Sequence, residues 1–477
     1  VSTQSTGDIR KVDFFLKSGL DTFVSLSYPS DVFSTQKQDN SACPCCNVQF
    51  TVTQRKQICR RCSFNFCSKC VVKSPGQLMC LVCDALLKEN PVVDFENEQF
   101  QTALSSHVLV SSQIVQLFAN QLKNNENRQK MKGKDQVLQI VNNNILLSCR
   151  LLREKETDFG EFQSKQLFEW ALAQNLNFLI NLTSGSDQLS ELILSPHLME
   201  CLHQILNAEY RQKQKCCEND TPKSQVSQLT NACQMAPTLR DLCVWLLRNL
   251  SATQNGSQLI MKHFSVQLFL KQQKTPELMG LAANIVKFSP DAAAEMIPLE
   301  PVAGVKRFEF LFGCIQAQNP LFQLQLMRFL AFSSQNKRVQ DDLFSQNPIL
   351  TQMAGIEPDF QKMDPVQKGY QLSAAAWALV QMFQLNSDSH FCTQQINQIT
   401  TCQMAILIKL TAETGTHGCL SAHQLLSKYL QCSEIETMLK ENLHLKALLA
   451  NQMKLNQVGT TEIAEMAQNI LKWIEQL

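Results

Sequence analysis

CPCCNVQFTVTQRKQICRRCSFNFCSKCVVKSPGQLMCLVC, residues 43–83, decides how the first part of this chain folds. Nine of the 20 cysteines lie there, eight of them in four Cys-x-x-Cys pairs: Cys43 with Cys46, Cys59 with Cys62, Cys67 with Cys70, and Cys80 with Cys83. The intervals between pairs are 12, 4 and 9 residues. Two thiolates two residues apart on a tight knuckle supply half of a tetrahedral zinc site. Four pairs therefore make two closed sites for two Zn2+ ions, each with four sulfur ligands and no position for water. Such sites are structural. The spacing alone leaves open which pairs share an ion. Cys45, the ninth cysteine, sits inside the first knuckle and is a candidate to replace a neighbour as ligand.

Outside this window the remaining eleven cysteines are scattered through helical sequence. Scattered cysteines read as buried apolar residues, and so many unpaired thiols favour a reducing, cytoplasmic setting. The 477 residues carry a net charge of +1, with 44% hydrophobic and 18% charged residues. That length is enough for two to four domains and a large core. Near-neutrality argues against coating nucleic acid, so no nucleic-acid partner is expected. No apolar run reaches the roughly 18 residues of a membrane span. Glycosylation triplets begin at Asn181, Asn249 and Asn255; the first two fall in apolar helical runs, and all three read as chance matches.

The run FTVTQRKQICRRC, residues 50–62, makes the cysteine window resemble a FYVE zinc finger. The family's basic signature corresponds to Arg55, Lys56, Gln57, Ile58, Cys59 and Arg60, and the four-residue interval before Cys67 also matches. The resemblance implies a cross-brace with short β hairpins. Cys43, Cys46, Cys67 and Cys70 would hold one zinc, and Cys59, Cys62, Cys80 and Cys83 the other. It also implies a lipid phosphate at Arg55, Lys56 and Arg60, a membrane-inserting turret at Val52 and Thr53, and a peripheral place on endosomal membranes. Three family elements are replaced. Gln57 and Ile58 stand for two histidines, residues 33–37 lack the tryptophan motif, and Leu78-Met79 replaces Arg-Val before Cys80. In the family those elements contact phosphatidylinositol 3-phosphate. Residues 43–87 still carry six basic residues against one acid, Asp84, a formal +5 with the thiols counted neutral. A solvated basic face on a protein-binding finger reads the same charge. Ubiquitin-ligase (RING) and PHD fingers share the two-zinc cross-brace, but their usual histidine ligands are missing.

From about residue 95 to 477 the apolar residues recur three and four apart, as in helices. Similar units recur within that region: LINLTSGSDQLSELIL from Leu179, LLRNLSATQNGSQLIM from Leu246, and weaker copies from Asn284, Met327 and Val380. Aligning their turns puts Thr183, Ser251, Ser289 and Ser333 in register, with gaps of 68, 38 and 44 residues. The longest gap contains a polar insertion at residues 211–221. The other two lie near the ~40–47 residue period of armadillo and HEAT repeats. The segment from Leu246 resembles an armadillo third helix and its turn. The expected architecture is mostly α: an extension over 1–42, a finger over 43–90, and an α-solenoid over 95–477 presenting a surface to proteins.

Trp245 and Asn249, four apart on one helix face, resemble the pair with which importin-like armadillo proteins grip a peptide backbone. Trp377 and Gln381 echo it weakly. Ordinary helix packing is the better account of such spacing. None of the eight histidines has metal or triad spacing, and no phosphate loop or nucleophile elbow occurs. The sequence thus points to a non-catalytic adaptor, docked through its finger on an anionic membrane or a protein. A zinc-finger ubiquitin ligase and a structural subunit of a larger complex are the alternatives.

Overall fold

The computed structural model describes residues 41–74, 76–88, 97–122, 124–131, 133–154, 162–184, 187–218, 238–264, 275–296 and 320–340, with Ala378, Gln468 and Lys472. The expected copy from Val380 and the Trp377–Gln381 pair lie outside these residues. The chain divides into two compact units, one of Thr22–His263 and one of Val1–Asp21 with Phe264–Leu477.

The first unit begins with two small antiparallel hairpins. Strands β1 (Gln57–Ile58) and β2 (Asn65–Phe66) pair with Gln57 opposite Phe66, and β3 (Val71–Ser74) and β4 (Gln77–Cys80) pair with Val71 opposite Cys80. Gly76, at φ +81°, makes the tight turn between β3 and β4. Strands this short cannot bury a core of their own. The hairpins are held by the cysteine knuckles and by Phe64 and Phe66, both fully buried. Helix α1 (Leu81–Leu87) follows β4 directly, where the sequence expects a short helix or cap at 84–90.

The rest of the described chain is helical: α2 (Glu98–Leu104), α3 (Val108–Gln121), α4 (Asn125–Lys130), α5 (Asp135–Glu154), α6 (Phe162–Thr183), α7 (Asp187–Ile193), α8 (Pro196–Glu218), α9 (Leu239–Leu250) and α10 (Gln254–His263). The second unit contains α11 (Pro276–Phe288), α12 (Ala292–Met296), α13 (Pro320–Ser333) and α14 (Lys337–Val339). The starts are chemically marked. Thr238 and Asp241 form a capping box on α9, and Thr275 caps α11 with Pro276 in its first turn.

One pattern recurs five times. A long helix ends, and a short one starts four residues later: 121 to 125, 183 to 187, 250 to 254, 288 to 292 and 333 to 337. Thr183, Ser251, Ser289 and Ser333 lie within one residue of those long-helix ends, and Thr183, Ser251 and Ser333 bond back to a carbonyl in the last turn. A short hydroxyl side chain at a helix end finds such a carbonyl partner within its own last turn. The copy at α3 and α4 escapes that register because its turn, residues 122–124, carries no hydroxyl.

In the first unit α6 packs between α3 and α9. Asparagine rungs tie the row. Asn181 Nδ2 donates to the Ala119 carbonyl at 3.1 Å, and Asn249 Nδ2 donates to the Ile180 carbonyl at 3.1 Å. These are equivalent positions, each reaching the end of the preceding long helix. Helix α3 is buried on every side, so its serines need partners: Asn144 donates to Ser111 Oγ at 2.7 Å and Asn175 to Ser112 Oγ at 3.0 Å. In the second unit α11 packs on α13, and Arg328 donates to Asn284 Oδ1 at 2.9 Å.

The expected polar break at 211–221 starts too early, since α8 runs through Glu218. Its Arg, Gln and Lys residues are good helix formers, and polarity alone does not end a helix. Among the described residues no helix is long and apolar enough to cross a membrane.

Candidate metal centre

The two hairpins settle the pairing that spacing leaves open. The knuckle of Cys59 and Cys62 follows β1, and that of Cys67 and Cys70 follows β2. Because β1 and β2 run antiparallel, consecutive knuckles sit at opposite ends of the hairpin and cannot share an ion. Alternate pairs meet instead. The sulfurs of Cys43, Cys46, Cys67 and Cys70 lie within 4.8 Å of one another, as do those of Cys59, Cys62, Cys80 and Cys83.

A tetrahedral zinc with bonds of about 2.3 Å separates its sulfurs by about 3.8 Å. Cys46 and Cys67 are 3.5 Å apart, and Cys62 and Cys80 are 3.9 Å apart. The donor sets therefore fit, and each can hold one metal ion; four cysteines and no other ligand suit zinc. Backbone N–H groups already point at the sulfurs: Cys80 N donates to Cys59 Sγ at 3.3 Å, and Cys83 N to Cys80 Sγ at 3.4 Å. The thiols also perturb one another. A hydrogen bond from Cys45 is the largest cause pulling Cys70 down to about 5, while burial leads in pushing Cys46 up to about 12. Hydrogen bonds from Cys62 and Cys80 pull Cys59 down, and burial pushes Cys80 up.

The sets differ in setting. The second is buried at all four cysteines, whereas the first includes the half-buried Cys46. Cys45 is buried beside the first set and bonds Cys70, but it is not one of the four converging sulfurs.

Arg55, Lys56 and Arg60 are all exposed and flank β1. Lys56 Nζ stands 5.7 Å over the Phe50 ring, and the Arg60 amide donates to the Leu78 carbonyl at 2.9 Å. Val52 and Thr53 form the tip of a tight turn over residues 51–54. There Thr51 N donates to the Gln54 carbonyl at 3.2 Å and Gln54 N to Thr51 Oγ1 at 3.1 Å. That turn leaves Val52 91% exposed.

Trp245 is half-buried on α9. The Asn249 amide is engaged inside the fold, donating to Ile180 and to Thr183 Oγ1 at 3.2 Å. Sequence reasoning missed Gln113, which meets Cys83 from α3 at 3.9 Å. Thirty residues separate the two, and no local pattern marks such a contact.

A scan against protein-family models finds no match, and neither does a search of curated proteins. Among solved structures the chain is similar to an engineered protein at 13% identity and a TM-score of 0.43, over 79% of this chain and 89% of that one. Similarity at that level assigns no fold.

Proposed function

We propose that this chain is a non-catalytic adaptor whose two-zinc finger docks on an anionic membrane surface and whose helices form armadillo-like repeats that bind protein. Val52 carries the first half. A valine held 91% exposed on a hydrogen-bonded turn, beside Arg55, Lys56 and Arg60, has no packing role where it stands. It suits insertion among lipid headgroups while the basic side chains meet lipid phosphate.

Metal loading changes the charge of the finger. With the thiols counted neutral the finger is +5. Each four-thiolate site with its zinc carries −2, so two loaded sites leave it at +1. Attraction to a membrane then rests on where charge lies, with sulfur buried and Arg55, Lys56 and Arg60 outside. Each basic residue at an anionic surface contributes about 1 kcal/mol. Fully burying a valine side chain adds about 1.5 kcal/mol or more.

The second half is supported by the fivefold recurrence of long helix, turn and short helix, and by the rungs from Asn181 and Asn249. Units that bury their faces only against neighbours make an extended protein-binding surface. Trp245 and Asn249 are not assigned to that surface, because Asn249 is engaged by α6.

Flotation of the full chain with phosphatidylcholine vesicles containing phosphatidylserine tests the docking. Wild type is expected to float, and Val52→Asp to bind about tenfold more weakly or less. Adding phosphatidylinositol 3-phosphate at matched charge is expected to change little, since Gln57, Ile58, Leu78 and Met79 replace the selective residues. An endosomal address would require that lipid to matter. Absence of wild-type flotation on anionic vesicles sinks the membrane reading.

A further inference from the structure

The second cysteine set lies at a seam. Cys80 caps α1, and Cys83 lies within it. Helix α1 packs against α3, and Cys83 Sγ meets Gln113 Oε1 of α3 at 3.9 Å in a fully buried contact. A ring contact closes the same seam, and a hydrogen bond within the finger steadies its side of it. The Phe64 ring meets His107, the residue capping α3, at 5.4 Å between centroids, and Arg61 Nη1 donates to the Cys83 carbonyl at 3.2 Å. Finger and helices accordingly belong to one compact unit, Thr22–His263.

We infer that the metal of the second set fastens the finger to the helical body, with Gln113 as the hydrogen-bond donor that holds its Cys83 ligand. The inference rests on the metal reading of the cysteines. Against a thiol the Gln113 carboxamide presents its oxygen, as observed. A metal-bound thiolate has lost its proton and only accepts. Rotating the carboxamide by half a turn brings its NH2 group to the same place, where it donates to the sulfur. A buried site of charge −2 gains from every such donor, and donors around a metal's ligands govern its affinity by about 10- to 100-fold. Gln113 is a positioning residue in this scheme. Loss of the ion would leave four repelling or protonated sulfurs between α1 and α3, so metal release and loosening of α3 become one event. The first set, reached from solvent at Cys46, would empty independently.

The test uses the full chain. Metal content is measured first. Release to a chelator is then followed with mass-spectrometric mapping of which cysteines become alkylated, in wild type and in Gln113→Met, which keeps length but removes the amide. The expected result is two metals per chain. The variant should free Cys59, Cys62, Cys80 and Cys83 about 10- to 100-fold faster, and leave Cys43, Cys46, Cys67 and Cys70 unchanged. In the cobalt-loaded protein, loss of a donor to one sulfur should move the sulfur-to-cobalt charge-transfer band to lower energy, which a packing defect alone would not do. Hydrogen exchange on wild type provides a readout free of mutation: stripping the second set should deprotect the amides of α3. No bound metal overturns the metal reading and this inference with it. Two metals with an unshifted band, equal acceleration at both sets, or unchanged α3 protection overturns this inference alone.

Discussion

Gly256 is the position where a single methyl group should be felt most sharply. It lies in the first turn of α10, just past the turn that follows α9. A Cβ there would stand 1.9 Å from the Leu250 carbonyl oxygen, 2.8 Å from its carbon and 3.0 Å from Thr253 Oγ1. The obstacle is backbone, so no side chain can rotate away. Relief requires α10 to move by about 1 Å relative to the end of α9. That movement disturbs the bond from Gly256 N to Thr253 Oγ1 at 3.1 Å and the one from Ser257 Oγ to the Ser251 carbonyl at 2.8 Å. Overpacking of this kind costs about 1–3 kcal/mol, and a rigid obstacle places the site at the upper end. Alanine returns about 1 kcal/mol through helix propensity. The net expectation for Gly256→Ala is a loss of about 2 kcal/mol. For a unit of this size that is a fall in Tm of about 4–8 °C. Thermal and urea unfolding measure it, and hydrogen exchange at α9 and α10 localises it. Gln258→Ala, exposed on the same helix, is the control and should be near neutral. If Gly256→Ala is as stable as wild type or more so, propensity has won, and the α9–α10 junction is not this close.

Two further outcomes separate the roles of neighbouring groups. Cys45→Ala should leave two metals bound, because Cys45 is outside both converging sets, whereas Cys59→Ala should lose one; elemental analysis of the purified chains decides, and loss of metal from Cys45→Ala would make it a ligand. Burial holds His107 below the ordinary imidazole range, so the folded chain takes its proton less readily than the unfolded chain does. Its contribution is therefore complete above the unfolded value of about 6.5 and is lost as pH falls through the lower folded value. Between pH 7.5 and 5.5 wild type should lose more stability than His107→Asn, which can still cap α3. Equal losses in denaturant titrations would refute that assignment.

What the sequence reveals divides along local and non-local physics. The four cysteine pairs and the helical period are local, and both read correctly. The turn register of Thr183, Ser251, Ser289 and Ser333 is legible because small hydroxyl residues favour helix ends and turns, where their side chains bond nearby backbone. The copy at α3 and α4 has Leu122 and Asn124 there, and its polar residues pass for a linker. The pairing of the cysteine sets follows from antiparallel β1 and β2, which two-residue strands barely announce. Gln113 is less visible still. A glutamine among apolar residues on α3 looks like a surface position, and only the packing of α1 turns it toward Cys83. The Asn249 spacing suggests a peptide groove by resemblance, yet the carbonyl that engages it comes from Ile180, in the preceding copy.

That last contact bears on how an adaptor of this construction would work. If the finger were joined to its helices by a loose tether, membrane docking would concentrate the chain at a surface without orienting it. Here α1 is wedged on α3, α3 on α6, and α6 on α9. The direction in which Val52 points is consequently fixed relative to the helical row of the same unit. A finger seated on headgroups through Val52, Arg55, Lys56 and Arg60 would hold that row at one angle to the membrane, and with it whatever the row binds. The rungs from Asn181 and Asn249 serve the same end, since each ties a long helix to its predecessor with a hydrogen bond that a sliding interface would break. Orientation, rather than affinity alone, is what such a rigid join between a weakly charged finger and a stacked helical row can contribute.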